Sequence, residues 1–262
     1  MPTWTSSEGA RLHYRDVGRG LPVVLLHAFP LSGEMFEAQW TALSGRARFV
    51  VPDLRGFGHS PPGTGPAEMG SLADEVLGLL DHLGVASAVV GGVSMGGYVS
   101  MALLRNDPGR VRALLLADTQ MSPDDAATRD SREAIAQDVL ANGTGVMVPR
   151  SAVLLSPGAT EAQRARMVSW ILGNPPEGIA NAERGMALRP DSRDILARFA
   201  GPLLVIVGAL DGLTPPVKAQ AMADLVRGST LLEIPGAGHL SNVEQPEAFN
   251  AALERLLDRL AP

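Results

Sequence analysis
The 262-residue sequence contains no cysteine, which excludes a disulfide framework, a thiolate nucleophile and a cysteine-based zinc site. No run approaches the roughly 18 apolar residues of a membrane-spanning helix. The segment from Met1 to Arg15 is polar, without an apolar stretch behind a basic start, so it does not read as a secretory signal. There is no Lys/Arg stripe, and a net charge of −6 gives no basic footprint for nucleic acid. Internal repeats and low-complexity tracts are missing too. A soluble cytoplasmic protein is expected, with no nucleic-acid or membrane partner. Nothing in the sequence sets the oligomeric state.

What is there points to a packed α/β protein. Hydrophobic residues make up 45% of the chain and charged ones 19%, which supports a buried core and argues against disorder. Short runs rich in Val and Leu predict strands at Pro22 to Leu26, Phe49 to Pro52, Ala86 to Gly91, Val111 to Ala117, Pro202 to Gly208 and Thr230 to Ile234. Such runs lack polar alternation, as strands buried on both faces of a parallel sheet do. Helical spacing lies between them. Leu72, Val76, Leu79, Leu80 and Leu83 predict a helix over 71–83, with Ser71 as its cap and Gly84 past its end. A second runs from Gly97 to Arg105 and stops before Pro108. From 121 to 199 no buried strand is apparent. Helical patterns occur instead at 126–142, 160–172, 176–189 and 191–199, separated by Gly- and Pro-bearing breaks. The expected organisation is a core of 1–120 plus 200–262, with 121–199 inserted as a helical lid. Strand–helix alternation implies right-handed crossovers and a mostly parallel, doubly wound sheet.

One motif carries chemistry. Gly92-Val93-Ser94-Met95-Gly96 is a G-x-S-x-G sequence between an expected strand and an expected helix. A nucleophile at so sharp a turn sits in strained backbone, and flanking glycines avoid clashes there. A serine hydroxyl needs a base. Of five histidines, His239 follows Gly236-Ala237-Gly238 after the last expected strand, at the carboxyl edge where a catalytic base must project. An acid must orient the imidazole. Asp211 lies just past the strand ending at Gly208, between Ser94 and His239 in chain order. Asp118, at the end of the Val111 to Ala117 run, competes for that role. The candidate triad is Ser94, Asp211 and His239.

Several blocks together resemble the α/β-hydrolase superfamily: Leu25-Leu26-His27-Ala28-Phe29-Pro30, Asp53-Leu54-Arg55-Gly56-Phe57-Gly58-His59-Ser60, the Ser94 turn, and Gly236-Ala237-Gly238-His239. The resemblance spans nearly the whole chain and is nearest to bacterial carboxylesterases, cofactor-free haloperoxidase/perhydrolases and enol-lactonases. It implies the α/β-hydrolase fold. It also implies an oxyanion hole made by the backbone N–H groups of Phe29 and Met95. The family's usual His-Gly is His27-Ala28 here, a departure that bears on loop geometry. Pro30 resembles the perhydrolase-type members, where a neighbouring carbonyl helps to bind peroxide. Asp53 and Arg55 are expected to shape their loop, and His59 is not expected to act as base.

These residues imply a carboxylesterase or lactonase working through an acyl-enzyme on Ser94, with a small-molecule ester as partner and no metal or organic cofactor. Pro30, Met121, Met147, Trp170 and Leu213 are the candidate pocket residues, beside Phe29 and Met95. Two alternatives stay open: perhydrolysis or carbon–carbon bond hydrolysis by the same triad, and a non-catalytic protein that binds a small molecule. Serine at position 94 separates the chain from relatives with Asp there, the haloalkane dehalogenases and epoxide hydrolases.

Overall fold
Strands form where the apolar runs predict them, and they assemble into one sheet. The computed structural model describes residues 2–6 and 9–260. Met1, Ser7, Glu8, Ala261 and Pro262, which fall within the expected core, lie outside these. In chain order the core begins with β1 (Thr3–Thr5), β2 (Arg11–Gly18), β3 (Leu21–Leu26), α1 (Glu37–Leu43) and β4 (Ala47–Pro52). It continues with α2 (Met69–His82), β5 (Ala88–Val93), α3 (Met95–Asn106) and β6 (Val111–Ala117). The helices α4 (Ala126–Asn142), α5 (Met147–Arg150), α6 (Glu161–Leu172), α7 (Pro176–Ala187) and α8 (Arg193–Arg198) follow. The chain then closes with β7 (Leu203–Gly208), α9 (Pro216–Leu225), β8 (Thr230–Ile234), α10 (Ser241–Glu244) and α11 (Pro246–Asp258).

The sheet has the order β1-β2-β4-β3-β5-β6-β7-β8. Neighbours from β4 to β8 run parallel, while β1 and β2 form an antiparallel edge. Every residue of β5 and β7 is buried, as strands covered by helices on both faces require. In β2 only Leu12 and Tyr14 are buried, and they alternate with more exposed residues. That alternation fits an antiparallel edge with one wet face, and it is why a search for continuous apolar runs passes over it.

Three local departures have physical causes. The α2 helix starts at Met69, with extended Glu68 as its N-cap, so Ser71 is not the cap. Met69 is buried, and its packing carries the helix back beyond the serine. The final helix, which the apolar spacing predicts over 244–260, leaves out Glu244: that residue ends α10, and Pro246, with no N–H to continue it, opens α11. Between α4 and α6, where only a break was expected, the chain makes short turns and α5.

The α4–α8 segment lies between β6 and β7 and docks closely on the core. A Cβ on Gly178 of α7 would sit 1.8 Å from the Gly56 carbonyl oxygen, and one on Gly185 would sit 1.8 Å from that of Ala67. Backbone therefore meets backbone along one face of α7.

Candidate active site
Ser94 lies between β5 and α3 with φ 54° and ψ −115°, a positive φ that serine rarely adopts. The flanking glycines make this turn possible. A Cβ on Gly92 would come within 2.0 Å of the Gly96 carbonyl carbon, and one on Gly96 within 1.9 Å of the Leu26 carbonyl oxygen. The Ser94 N–H donates to Ala117 at the end of β6, and its carbonyl accepts from Gly97 N–H and the Thr119 hydroxyl. The hydroxyl is thereby held at the carboxyl edge of the sheet.

Ser94 Oγ lies 2.7 Å from His239 Nε2, and His239 Nδ1 lies 2.8 Å from Asp211 Oδ2. An ionised carboxylate on Nδ1 fixes the ring proton there and leaves Nε2 to accept from the serine. His239 and Asp211 are buried, at 2% and 3% exposure. Asp211 also accepts from the Leu213 and Thr214 N–H groups at 2.8 and 2.9 Å and from the Thr214 hydroxyl at 2.6 Å. Burial pushes its carboxyl up, but the His239 imidazole and the Thr214 donors outweigh this and hold it below the ordinary carboxylate range.

Asp118, the competing acid, faces a different set of donors. Its Oδ1 accepts from Gly208 N–H at 2.8 Å, and its Oδ2 accepts from the Ser241 N–H and hydroxyl at 3.0 and 2.6 Å. It thus ties the end of β6 to the end of β7 and to the turn that follows His239.

The other histidines lie outside this relay. His27 is buried and bonded on both ring nitrogens, with Nδ1 donating to the Ala28 carbonyl and Nε2 accepting from Leu54 N–H. His59 is exposed and stacks on His13, while Asp53 accepts the Gly33 and His59 N–H groups, as a loop-shaping residue does. The backbone N–H groups of Phe29, in the loop after β3, and of Met95, next to Ser94, donate to no protein acceptor among the described residues. Ala28 does not take a positive φ, so the alanine substitutes for glycine without strain.

A cavity of about 550 Å³ opens on this cluster and includes Phe29, Pro30, Ser94, Met147, Leu213 and His239. Met121 and Trp170, expected in it, are elsewhere. Met121 lines a separate crevice beside Tyr98 and Arg189, and its carbonyl accepts from Ser192 N–H. Trp170 is buried beneath the Arg166 guanidinium, because α6 is anchored toward Glu37 and the Val243 carbonyl rather than over Ser94. The wall is not wholly apolar, since Asp124, Arg132 and Glu183 face it as an ion-paired group. Arginines of the α4–α8 segment that would suit a carboxylate clamp are engaged elsewhere: Arg129 and Arg164 donate to backbone carbonyls and Arg150 pairs with Asp138.

Two further residues have no local sequence signal. Thr214 clamps Asp211. Glu244 accepts the Gly238 N–H beside His239 at 2.8 Å and the Ser156 N–H of the inserted segment at 2.9 Å. Both depend on contacts that only the folded chain makes.

The chain is similar to known proteins along nearly its whole length. Residues 22–246 match the family model described as alpha/beta hydrolase fold. A 3-oxoadipate enol-lactonase of Acinetobacter baylyi is 30% identical over 97% of this chain and 96% of its own. A thermophilic esterase of Thermogutta terrifontis, solved with malate bound, is 39% identical with a TM-score of 0.95, over 98% of this chain and 97% of its own. The enol-lactonase of Burkholderia xenovorans LB400 is 26% identical with a TM-score of 0.90, over 98% and 100%. The chain belongs to the α/β-hydrolase fold family.

Proposed function
We propose that the protein hydrolyses carboxylic esters or lactones through an acyl-enzyme on Ser94. What carries this is the unbroken relay from Ser94 Oγ to His239 at 2.7 Å and on to Asp211 at 2.8 Å, open to a cavity of about 550 Å³. His239 takes the proton as Ser94 attacks the ester carbonyl, and Asp211 stabilises the imidazolium. The Phe29 and Met95 N–H groups, with no protein acceptor, receive the oxyanion of the tetrahedral intermediate. Charge develops there at the start of α3, where the helix dipole favours it. His239 returns its proton to the leaving alcohol and then activates the water that releases the acid. The segment 121–199 serves as the lid over this site: Met147, Glu183 and Met186 from it share the cavity with Ser94.

The test is hydrolysis of p-nitrophenyl esters from acetyl to decanoyl. Ser94→Ala should lower kcat by roughly 10⁴-fold or more. Undiminished turnover in the variant would remove the nucleophile assignment. Pro30 also lines the cavity. Peroxide-dependent halide oxidation in acetate, without ester hydrolysis, would therefore move the function to perhydrolysis.

A further inference from the structure
Of the 22 basic side chains, 21 are arginine and one is lysine, Lys218. That single lysine lines the same cavity as Ser94 and His239. Its position does nothing for the helix that carries it. Lys218 is the third residue of α9, in the first turn, where the helix dipole presents its positive end and disfavours a cation. Its ammonium has no carboxylate partner among the described residues. The one acceptor it has is the neutral side-chain oxygen of Gln120, which also faces the cavity.

The other charges on the cavity wall are already engaged. Arg132 sits between Asp124 at 2.5 Å and Glu183 at 2.7 Å, and Arg150 holds Asp138 at 2.7 Å. Asp125, the remaining acid on the wall, accepts the Thr128 N–H and caps α4. With one N–H given to Gln120, Lys218 keeps two donors and its charge for a ligand. A single compact cation with two donors suits a carboxylate, and a charge-assisted hydrogen bond to it is strengthened away from bulk water.

We propose, on the footing of the serine-hydrolase function above, that Lys218 held by Gln120 is an anion subsite, and that the preferred substrate is an ester or lactone bearing a carboxylate. The subsite sets specificity and takes no part in the bond-breaking step.

The experiment compares charged and neutral probes in wild type, Lys218→Met and Lys218→Arg. One pair puts the charge on the acyl side: mono-p-nitrophenyl glutarate against p-nitrophenyl butyrate. The other puts it on the alcohol side: the butyrate ester of 4-hydroxybenzoate against that of methyl 4-hydroxybenzoate. In at least one pair the charged-to-neutral ratio of kcat/KM should fall about tenfold or more in Lys218→Met and largely survive in Lys218→Arg. In the wild type, 1 M NaCl should shrink the same ratio. Ratios unmoved by Lys218→Met in both pairs would overturn the proposal. A second arm separates it from the hydrolase function: glutarate should raise the Tm of Ser94→Ala protein but not of the Ser94→Ala, Lys218→Met double variant. A Lys218-dependent shift without any ester hydrolysis keeps the subsite and removes the hydrolase. Neither a shift nor hydrolysis removes both.

Discussion

Asp118 places a fully buried carboxyl between two strand ends, at a residue whose own φ is 46°. Burial pushes that carboxyl up to about 7, against the pull of the His239 imidazole and the Ser241 and Gly208 donors. The unfolded chain releases the same proton near pH 4. Between about pH 4 and 7 the native state therefore binds the extra proton, and the free energy of unfolding contributed by this group falls as pH rises. Asp118→Asn should flatten that slope, so that urea midpoints fall less steeply with pH in the variant than in the wild type. Parallel profiles would contradict the assignment. At this scale the sequence was informative wherever chemistry demands a motif. Glycines at 92 and 96 announce a turn that admits no Cβ, and His239 stands behind a Gly-Ala-Gly loop. It was silent for Thr214 and Glu244, whose partners are chosen by the fold. Asp211 and Asp118 both end strands and look alike in sequence. The donors that surround each one separate them.

Among the elements of the inserted segment, α7 owes its position to the absence of side chains at two points. Gly178 and Gly185 are two turns apart on one face and meet core backbone at Gly56 and Ala67. Gly178→Ala must push the helix outward, and we expect a loss of about 1–3 kcal/mol in urea unfolding. Glu183 and Met186 of the same helix line the cavity, so KM for a reference ester should rise with it. A variant as stable as wild type would mean that the contact yields at no cost. The elements easiest to read were those with two independent signals. The limits of α4 coincide with expectation because Asp125 caps its start and Gly143, at φ 81°, ends it. Likewise β6 and β8 run over the residues expected of them. By contrast α1 and the turns of 143–154 are too short to show a period, and the antiparallel edge strands carry too few apolar residues.

Across the whole molecule, the inserted segment and the core share buried polar partners as well as apolar contacts. Glu244 receives one N–H from the insertion at Ser156 and one from Gly238 beside His239. In Glu244→Gln the amide NH2 must face one of these buried donors, which should cost about 1–3 kcal/mol. The lost alignment of the His239 loop should also lower kcat more than it raises KM. A fall in stability with kcat unchanged would confine Glu244 to a structural role. Lids in this fold are attractive cassettes for grafting between scaffolds, since they enter and leave the core at two neighbouring strands. Here such an exchange would cut across a shared carboxylate. A transplanted lid would have to bring a backbone donor to the place of Ser156, or the recipient would keep its new pocket and lose the posture of its base.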